Sequence, residues 1–296
     1  MKYVIIKEYE GYDIKTFLYK EGVSHSLLKK LKKRDDGILV NGKHHNVIYT
    51  LKENDVLELN IYDTKEDENE FLEPVDLPVE IIFENENITV VNKPYGMPTH
   101  ESLNNHGNSL ANALAYRYKD KNYVFRATNR LDKDTSGVVI TANNKMYSAI
   151  LSDKIKKGKI QKSYIAVVEG MIRDSGVIEA PIGRIEKSII KRVVRDDGEY
   201  ALTEYASLCA SENYSVVLVT PKTGRTHQIR VHMAHIGHPL AGDELYGGST
   251  KDIKRQALHC LKMSVDGIGE FYAPLAGDIK DLIRRNFGNE EFIPKN

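Results

Sequence analysis

Cysteine is scarce in this sequence, with Cys209 and Cys260 the only two. Two are too few for a disulfide framework, and their separation matches no metal-ligand spacing, which argues against a disulfide-stapled secreted domain or a zinc ribbon. Both lie in apolar, strand-like surroundings and are expected as buried free thiols of a reducing cytoplasm. Long apolar runs are missing as well. No stretch approaches the roughly 20 apolar residues that span a bilayer. The opening MKYVIIKEYEGYDIK has neither a sustained apolar run nor a small-residue cleavage site, so no secretory signal and no membrane partner are expected. Proline and serine tracts, repeats and low-complexity stretches are lacking too.

Net charge is also absent, since 42 basic residues balance 42 acidic ones. The balance hides a segregation. Residues 63–86 hold ten acids and one base, and the blocks on either side are mildly basic. An acidic run between two basic blocks reads as a boundary, and either block could meet a polyanion. At 296 residues, 41% hydrophobic and 28% charged, the chain is an ordinary globular sequence with room for two domains. The expected division is a small α/β module over residues 1–62, an acidic, proline-closed linker over 63–78, and a larger domain over 79–296.

In the first block, Leu27, Leu28 and Leu31 mark one side of a helix whose remaining positions carry Lys29, Lys30, Lys32, Lys33 and Arg34. Ile38-Leu39-Val40 follows as a strand, Asn41-Gly42 is the favoured pair for a two-residue hairpin turn, and Lys43 begins the return. Asp55 to Leu59 alternates as another strand. A basic helix packed on a hairpin presents a cationic ridge to phosphates, although a lysine-rich helix is often no more than a solvated face.

The stretch that organises the rest is Ala127 to Thr141, ATNRLDKDTSGVVIT. Small hydroxyl residues and a glycine ahead of a β-branched run read as a loop feeding a buried strand, where a carboxylate such as Asp132 can face a cleft. On spacing alone the plainer reading is favoured, with Arg130 and Asp132 as a structural ion pair and Thr135 and Ser136 capping backbone. Further strands are expected at Val79–Phe83, Ile88–Val91, Gln161–Gly170, Ile189–Val194, Tyr200–Ala210, Ser215–Thr220 and Ala257–Met263. Helices are expected at Ser109–Tyr118 (capped by Ser109), Lys145–Ile155 and Gly277–Phe287, with a further one opening in Thr223–Arg230.

Two other site types fail on spacing. His227, His232, His235 and His238 stand five and three residues apart with no acid between them, whereas a helical zinc motif needs histidines four apart and a glutamate, so no metal is expected. Gly242 to Gly248 is glycine-rich but lacks the Gly-Lys-Ser/Thr ending of a phosphate loop.

Arg130-Leu131-Asp132 followed by Thr135-Ser136-Gly137 resembles the catalytic motif of the RluA family of pseudouridine synthases. Lys93-Pro94-Tyr95-Gly96, Lys162-Ser163-Tyr164-Ile165-Ala166, Gly224-Arg225-Thr226-His227-Gln228-Ile229-Arg230 and Ala257-Leu258-His259 resemble its other motifs, in the family's order. The family usually has histidine where this chain has Asn129, which bears on local RNA contacts. The resemblance implies an α+β catalytic domain with a mostly antiparallel mixed sheet flanked by helices, acting on uridine in RNA without a cofactor. It implies Asp132 as the catalytic carboxylate and Arg225 as its ionic partner. It also implies Tyr164 against the target base and Leu258 as a wall. Arg130 is expected in support, and His227 and Arg230 at RNA phosphates, with simple packing the alternative for the histidine. Burial disfavours a charged carboxylate, and a guanidinium such as that of Arg225 beside Asp132 would oppose this by favouring the charged form. Residues 12–60 resemble the small RNA-binding domain named after ribosomal small-subunit protein four. That makes ribosomal RNA the expected partner and transfer RNA the alternative within the family, with a monomer as the default state. The rival from another class is a non-catalytic RNA-binding or ribosome-assembly protein.

Overall fold

The computed structural model describes residues 1–61, 72–102, 106–121, 123–185 and 190–294, and every count below is of those residues. Most of the expected linker, and the first residue of the strand expected from Ile189, lie outside them. Residues 72–78 run without regular structure, and Asn112 Nδ2 donates to Glu73 O at 2.7 Å. Among the described residues no helix is long and apolar enough to cross a membrane.

The first block contains β1 (Lys2–Val4), α1 (Ile14–Lys20), α2 (His25–Leu31), β2 (Ile38–Val40), β3 (Lys43–His44) and β4 (Val56–Leu59). The strands form an antiparallel sheet in the order β1-β4-β2-β3. Asp13 and Ser24 cap the two helices by accepting the Thr16 and Leu27 N–H groups. Asn41 and Gly42 take φ of 52° and 78°, as the expected hairpin turn requires. Leu27, Leu28 and Leu31 are buried, while Lys29, Lys30, Lys32, Lys33 and Lys43 are exposed. The helix is shorter than the leucine pattern suggested. It ends at Leu31, so Lys32, Lys33 and Arg34 lie past its last turn, and Arg34 turns back onto Asp36 at 3.1 Å. The core of this block also takes in Met146, from beyond the linker.

The second block contains β5 (Glu80–Glu84), β6 (Ile88–Lys93), α3 (Leu110–Arg117), β7 (Ser136–Ala142), α4 (Lys145–Lys156), β8 (Ile160–Glu169), β9 (Gly176–Glu179), β10 (Ile182–Arg184), β11 (Arg192–Val194), β12 (Leu202–Ala210), β13 (Tyr214–Pro221), α5 (Gln228–His235), β14 (Leu258–Val265), β15 (Gly269–Tyr272) and α6 (Gly277–Phe287). Its nine-stranded sheet runs β5-β6-β7-β14-β8-β13-β12-β9, with β15 beside the far half of β14. One pairing is parallel, β7 on β14 at Ser136 and Gly137, and the rest are antiparallel. The strands expected at 189–194 and 200–210 do not pair with each other. β11 turns back on β10 in a separate ribbon, while β12 joins the large sheet.

Strand alternation sorts side chains onto two faces. On β8, Ile165 and Val167 point to the face that α6 covers with Ile279, Leu282 and Ile283. Tyr164, Ala166 and Val168 point to the other face, with Leu131, Ile229, Met233, Leu258 and Cys260. Ser109 caps α3 through a reciprocal box with Asn112, and Leu110, Ala113 and Leu114 are buried. Cys260 is buried as expected; Cys209 is only half-buried, on β12 beyond the stretch that pairs with β9.

Candidate active site

Asp132 sits at the tip of the loop that enters β7, and its neighbours are held one by one. Asn129, 7% exposed, donates from Nδ2 to Val138 O and accepts the Ile140 N–H, both at 3.1 Å. It therefore faces inward as a clamp on β7, not outward to an RNA strand. Thr99 Oγ1 donates to Leu131 O at 2.9 Å and accepts from Leu131 N at 3.1 Å. Lys93 Nζ donates to Lys133 O at 3.2 Å, and Arg255 Nη1 to Asp134 O at 2.9 Å. Gln256 Nε2 reaches Thr135 Oγ1 at 3.3 Å, and Ser136 Oγ meets His259 Nδ1 at 2.9 Å. A loop tied down at 129, 131, 133, 134, 135 and 136 leaves the Asp132 side chain, 30% exposed, as the group it presents. Such rigidity is what positioning a reacting group requires.

Gly137 lets the loop enter β7. At φ 113°, a Cβ there would stand 2.2 Å from Cys260 O, so only glycine permits the parallel contact with β14.

The cation at Asp132 is not the expected one. Arg225 donates from Nε to Tyr200 O at 2.9 Å and pairs with Glu199 near the surface. Arg230 takes its place. From α5, Arg230 Nη1 donates to Asp132 Oδ2 at 3.1 Å, while Nε and Nη2 grip Asp243 at 2.6 and 2.8 Å. At 7% exposure, Arg230 is a buried ionic centre and not a phosphate contact. The two arginines are separated by His227, whose φ of 57° breaks the backbone before α5 and turns the next residues inward. The guanidinium also lies 5.0 Å from the Tyr246 ring, and the two carboxylates push it further toward permanent charge.

His227 closes the other side of the carboxylate, with Nε2 3.7 Å from Asp132 Oδ2. Burial holds its pKa below the ordinary value, against the pull of Asp132. Tyr246 Oη accepts the Arg192 N–H at 3.0 Å and lies 2.9 Å from His227 Nδ1. The other three histidines diverge. His232 is buried between Thr203 Oγ1 and Ala180 O, His238 meets Glu169 O at 2.8 Å, and His235 lies at the end of α5. No cluster suited to a metal occurs among the described residues.

Tyr164 is buried on β8 opposite Cys260 of β14. Burial, then Cys260 and Asp132, push its hydroxyl well above the ordinary tyrosine range, so it stays protonated beside the carboxylate. Leu258, 4% exposed and two residues before Cys260 on the same strand face, joins Tyr164, Leu131 and Ile229 in one apolar wall. Arg130 is exposed and makes no ion pair with Asp132 among the described residues, so the two do not form the structural pair that spacing suggests. Sequence pattern does not mark Thr99, Asp243, Tyr246 and Arg255 as parts of the site. Lys93 has a signal in the Lys-Pro-x-Gly turn. The side chain is fully buried, and burial pushes its ammonium down to about 7 although Asp134 and Asp132 favour the charged form.

Residues 87–235 match the family described as RNA pseudouridylate synthase. An uncharacterized RNA pseudouridine synthase of Bacillus subtilis, YjbO, is 38% identical over 94% of this chain and 98% of its own length. The ribosomal large subunit pseudouridine synthase D of Haemophilus influenzae is 35% identical over 74% of each chain. Among solved structures, human RNA pseudouridylate synthase domain containing 1 is 27% identical over 67% of this chain and 83% of its own, with a TM-score of 0.56. The chain belongs to the RluA-type RNA pseudouridylate synthase family and is an RNA pseudouridine synthase.

Proposed function

We propose that the protein converts uridines of large-subunit ribosomal RNA to pseudouridine, with Asp132 as the carboxylate that reacts at the ribose. The observation that carries the assignment is the Asp132 side chain itself, presented by a loop pinned at its neighbours and directed at Arg230, 3.1 Å away. The reaction breaks the bond between uracil N1 and the sugar C1′, turns the base while it is held, and forms a bond from C5 to C1′. The C5 proton is lost and N1 gains one, so the atoms balance without redox or phosphate chemistry. The target base must first leave its stack. Tyr164 offers an aromatic face for it, Leu258 and Leu131 an apolar wall, and Arg230 holds the Asp132 carboxylate in place for nucleophilic or basic attack.

Ribosomal RNA is favoured by relatives named for the large ribosomal subunit, 34–36% identical to this chain. The first block supports the same reading as an RNA anchor of the kind named after ribosomal small-subunit protein four. Its lysines are exposed, and a cleft of about 300 Å³ between α2 and α4 is lined by Lys30, Arg126 and Lys145 with Ser24, Ser148 and Ser152. That cleft shares no residue with the Asp132 site, which suits a backbone contact away from the chemistry. The reading takes the protein to act as a cytoplasmic monomer.

Tritium release from RNA labelled at uracil C5 tests the proposal, with the native protein compared with Asp132→Asn. Release from large-subunit ribosomal RNA by the native protein, lowered roughly 10²–10⁴-fold by the substitution, is the expected result. Release from transfer RNA alone would overturn the substrate, and equal release by both proteins would overturn the role of Asp132. Binding without release from either RNA would favour a non-catalytic RNA-binding protein.

A further inference from the structure

We propose that Tyr95 is a stacking platform for a nucleobase next to the target uridine. The proposal rests on the RNA-modifying reading above and adds to it a residue and a ligand chemistry. Tyr95 is 51% exposed, unlike Tyr164, and stands in the turn that follows β6. Lys93 closes this turn from inside, donating from Nζ to Pro94 O at 2.8 Å and Met97 O at 2.6 Å. The same ammonium donates to Lys133 O, one residue past Asp132.

One side of the ring is occupied. Arg255 lies against it, with Cζ 4.4 Å from the ring centroid. The guanidinium is itself immobile. Asp278 holds it at 2.7 and 2.8 Å, and it donates to Asp134 O at 2.9 Å and Leu258 O at 3.2 Å. Two buried cations therefore fasten an exposed aromatic ring to residues 133 and 134, immediately after Asp132. An exposed tyrosine on a free turn would sample several rotamers. This one is held in place by the groups that hold the reacting loop.

Flipping the uridine out strips a stacking partner from the base on each side of it. A ring fixed at the rim of the site can take up one of those faces. Stacking of this kind accepts any base, because every base has a π-face. A guanidinium behind the ring adds cation–π attraction that orders the platform before RNA arrives.

The chain has no tryptophan, so Tyr95→Trp introduces a single indole. Its emission is followed while an unmodified transcript of large-subunit ribosomal RNA is added, and binding of the native protein to that transcript is measured by filter retention. The expected result is quenching that saturates over the native binding range. Tyr95→Ala should raise KM roughly tenfold with kcat little changed, and Tyr95→Phe should restore the native KM. If the ring merely shields Arg255, the transcript will bind with no change in indole emission and Tyr95→Ala will keep the native KM. Either observation overturns the proposal. If the native protein neither retains the transcript nor releases tritium from it, the ribosomal-RNA reading fails first and the proposal with it.

Discussion

Arg230 holds two carboxylates at once, Asp132 through Nη1 at 3.1 Å and Asp243 through Nε and Nη2 at 2.6 and 2.8 Å. Asp243 is buried and Asp132 is partly open. The arginine therefore links a structural anion to one presented at the site. Removing it leaves the Asp243 carboxyl group without its partner in the interior. Arg230→Ala should lose roughly 3–5 kcal/mol of stability and most activity. Arg230→Lys should keep the charge but not the two-point grip, and fall between. Arg225→Ala breaks a surface pair with Glu199 and an exposed hydrogen bond to Tyr200 O, and stability should fall by no more than about 1 kcal/mol. Urea unfolding and tritium release on the three variants check this order, and an Arg225→Ala as damaged as Arg230→Ala would refute it.

Lys93 makes stability depend on pH in a defined direction. Its ordinary value of 10.5 is lowered to about 7 by burial in the folded protein. Between those values the unfolded chain holds a proton that the folded chain has released. Unfolding then takes up a proton, and stability rises with pH. The penalty is fully present below 7 and gone above 10.5. Compared with Lys93→Met, which cannot titrate there, the native protein should gain relative stability from pH 7 to 9.5. Denaturant midpoints at the two values measure it. A constant difference would mean the lysine keeps its proton.

Gly137 is where β7 and β14 run parallel with no room for a side chain. Gly137→Ala would press a methyl into the Cys260 backbone at a φ that alanine resists. A loss of roughly 2–4 kcal/mol is expected, with activity falling further because the Asp132 loop enters the sheet here. Thermal unfolding and single-turnover release report the two effects separately.

The exposed lysines of the first block should contribute salt-dependent affinity. Replacing Lys29, Lys32 and Lys33 together by glutamine touches no buried group. Each phosphate that goes unneutralised in the variant should reduce the slope of log affinity against log salt by roughly 0.7–0.9. The slope for the native protein and the triple variant should therefore differ, with kcat at saturating RNA unchanged. Parallel lines would remove these lysines from the RNA-binding surface.

Local pattern carried much of this structure. The β-branched runs at 138–141 and 215–220 became β7 and β13, Ser109 and Asn41-Gly42 took their expected cap and turn, and the Asp132 loop could be read from its hydroxyls and glycine. What escaped depends on residues far apart in the chain. Asp132 and Arg230 are 98 positions apart, and Arg255 reaches back 121 to Asp134. Arg225 and Arg230 share one short motif, and nothing in its periodicity separates them. The left-handed residue His227 does, by sending the first to the surface and the second beneath Asp132. Asp243 read as part of a glycine-rich turn because its partner could not be seen from sequence.

Met146 belongs to helix α4 but lies among Leu18, Leu27 and Leu57 in the core of the first block, with Ile150 packed at its edge. Swinging the block away would expose Met146 to water, at roughly 1.5–3 kcal/mol for that side chain alone. The lysine ridge and the Asp132 loop thus keep a set spacing, as two marks on one caliper. An RNA that touches both must fold so that its uridine and its docking segment match that gap. Choice among uridines would then be a measurement of RNA shape, made before any base is turned out.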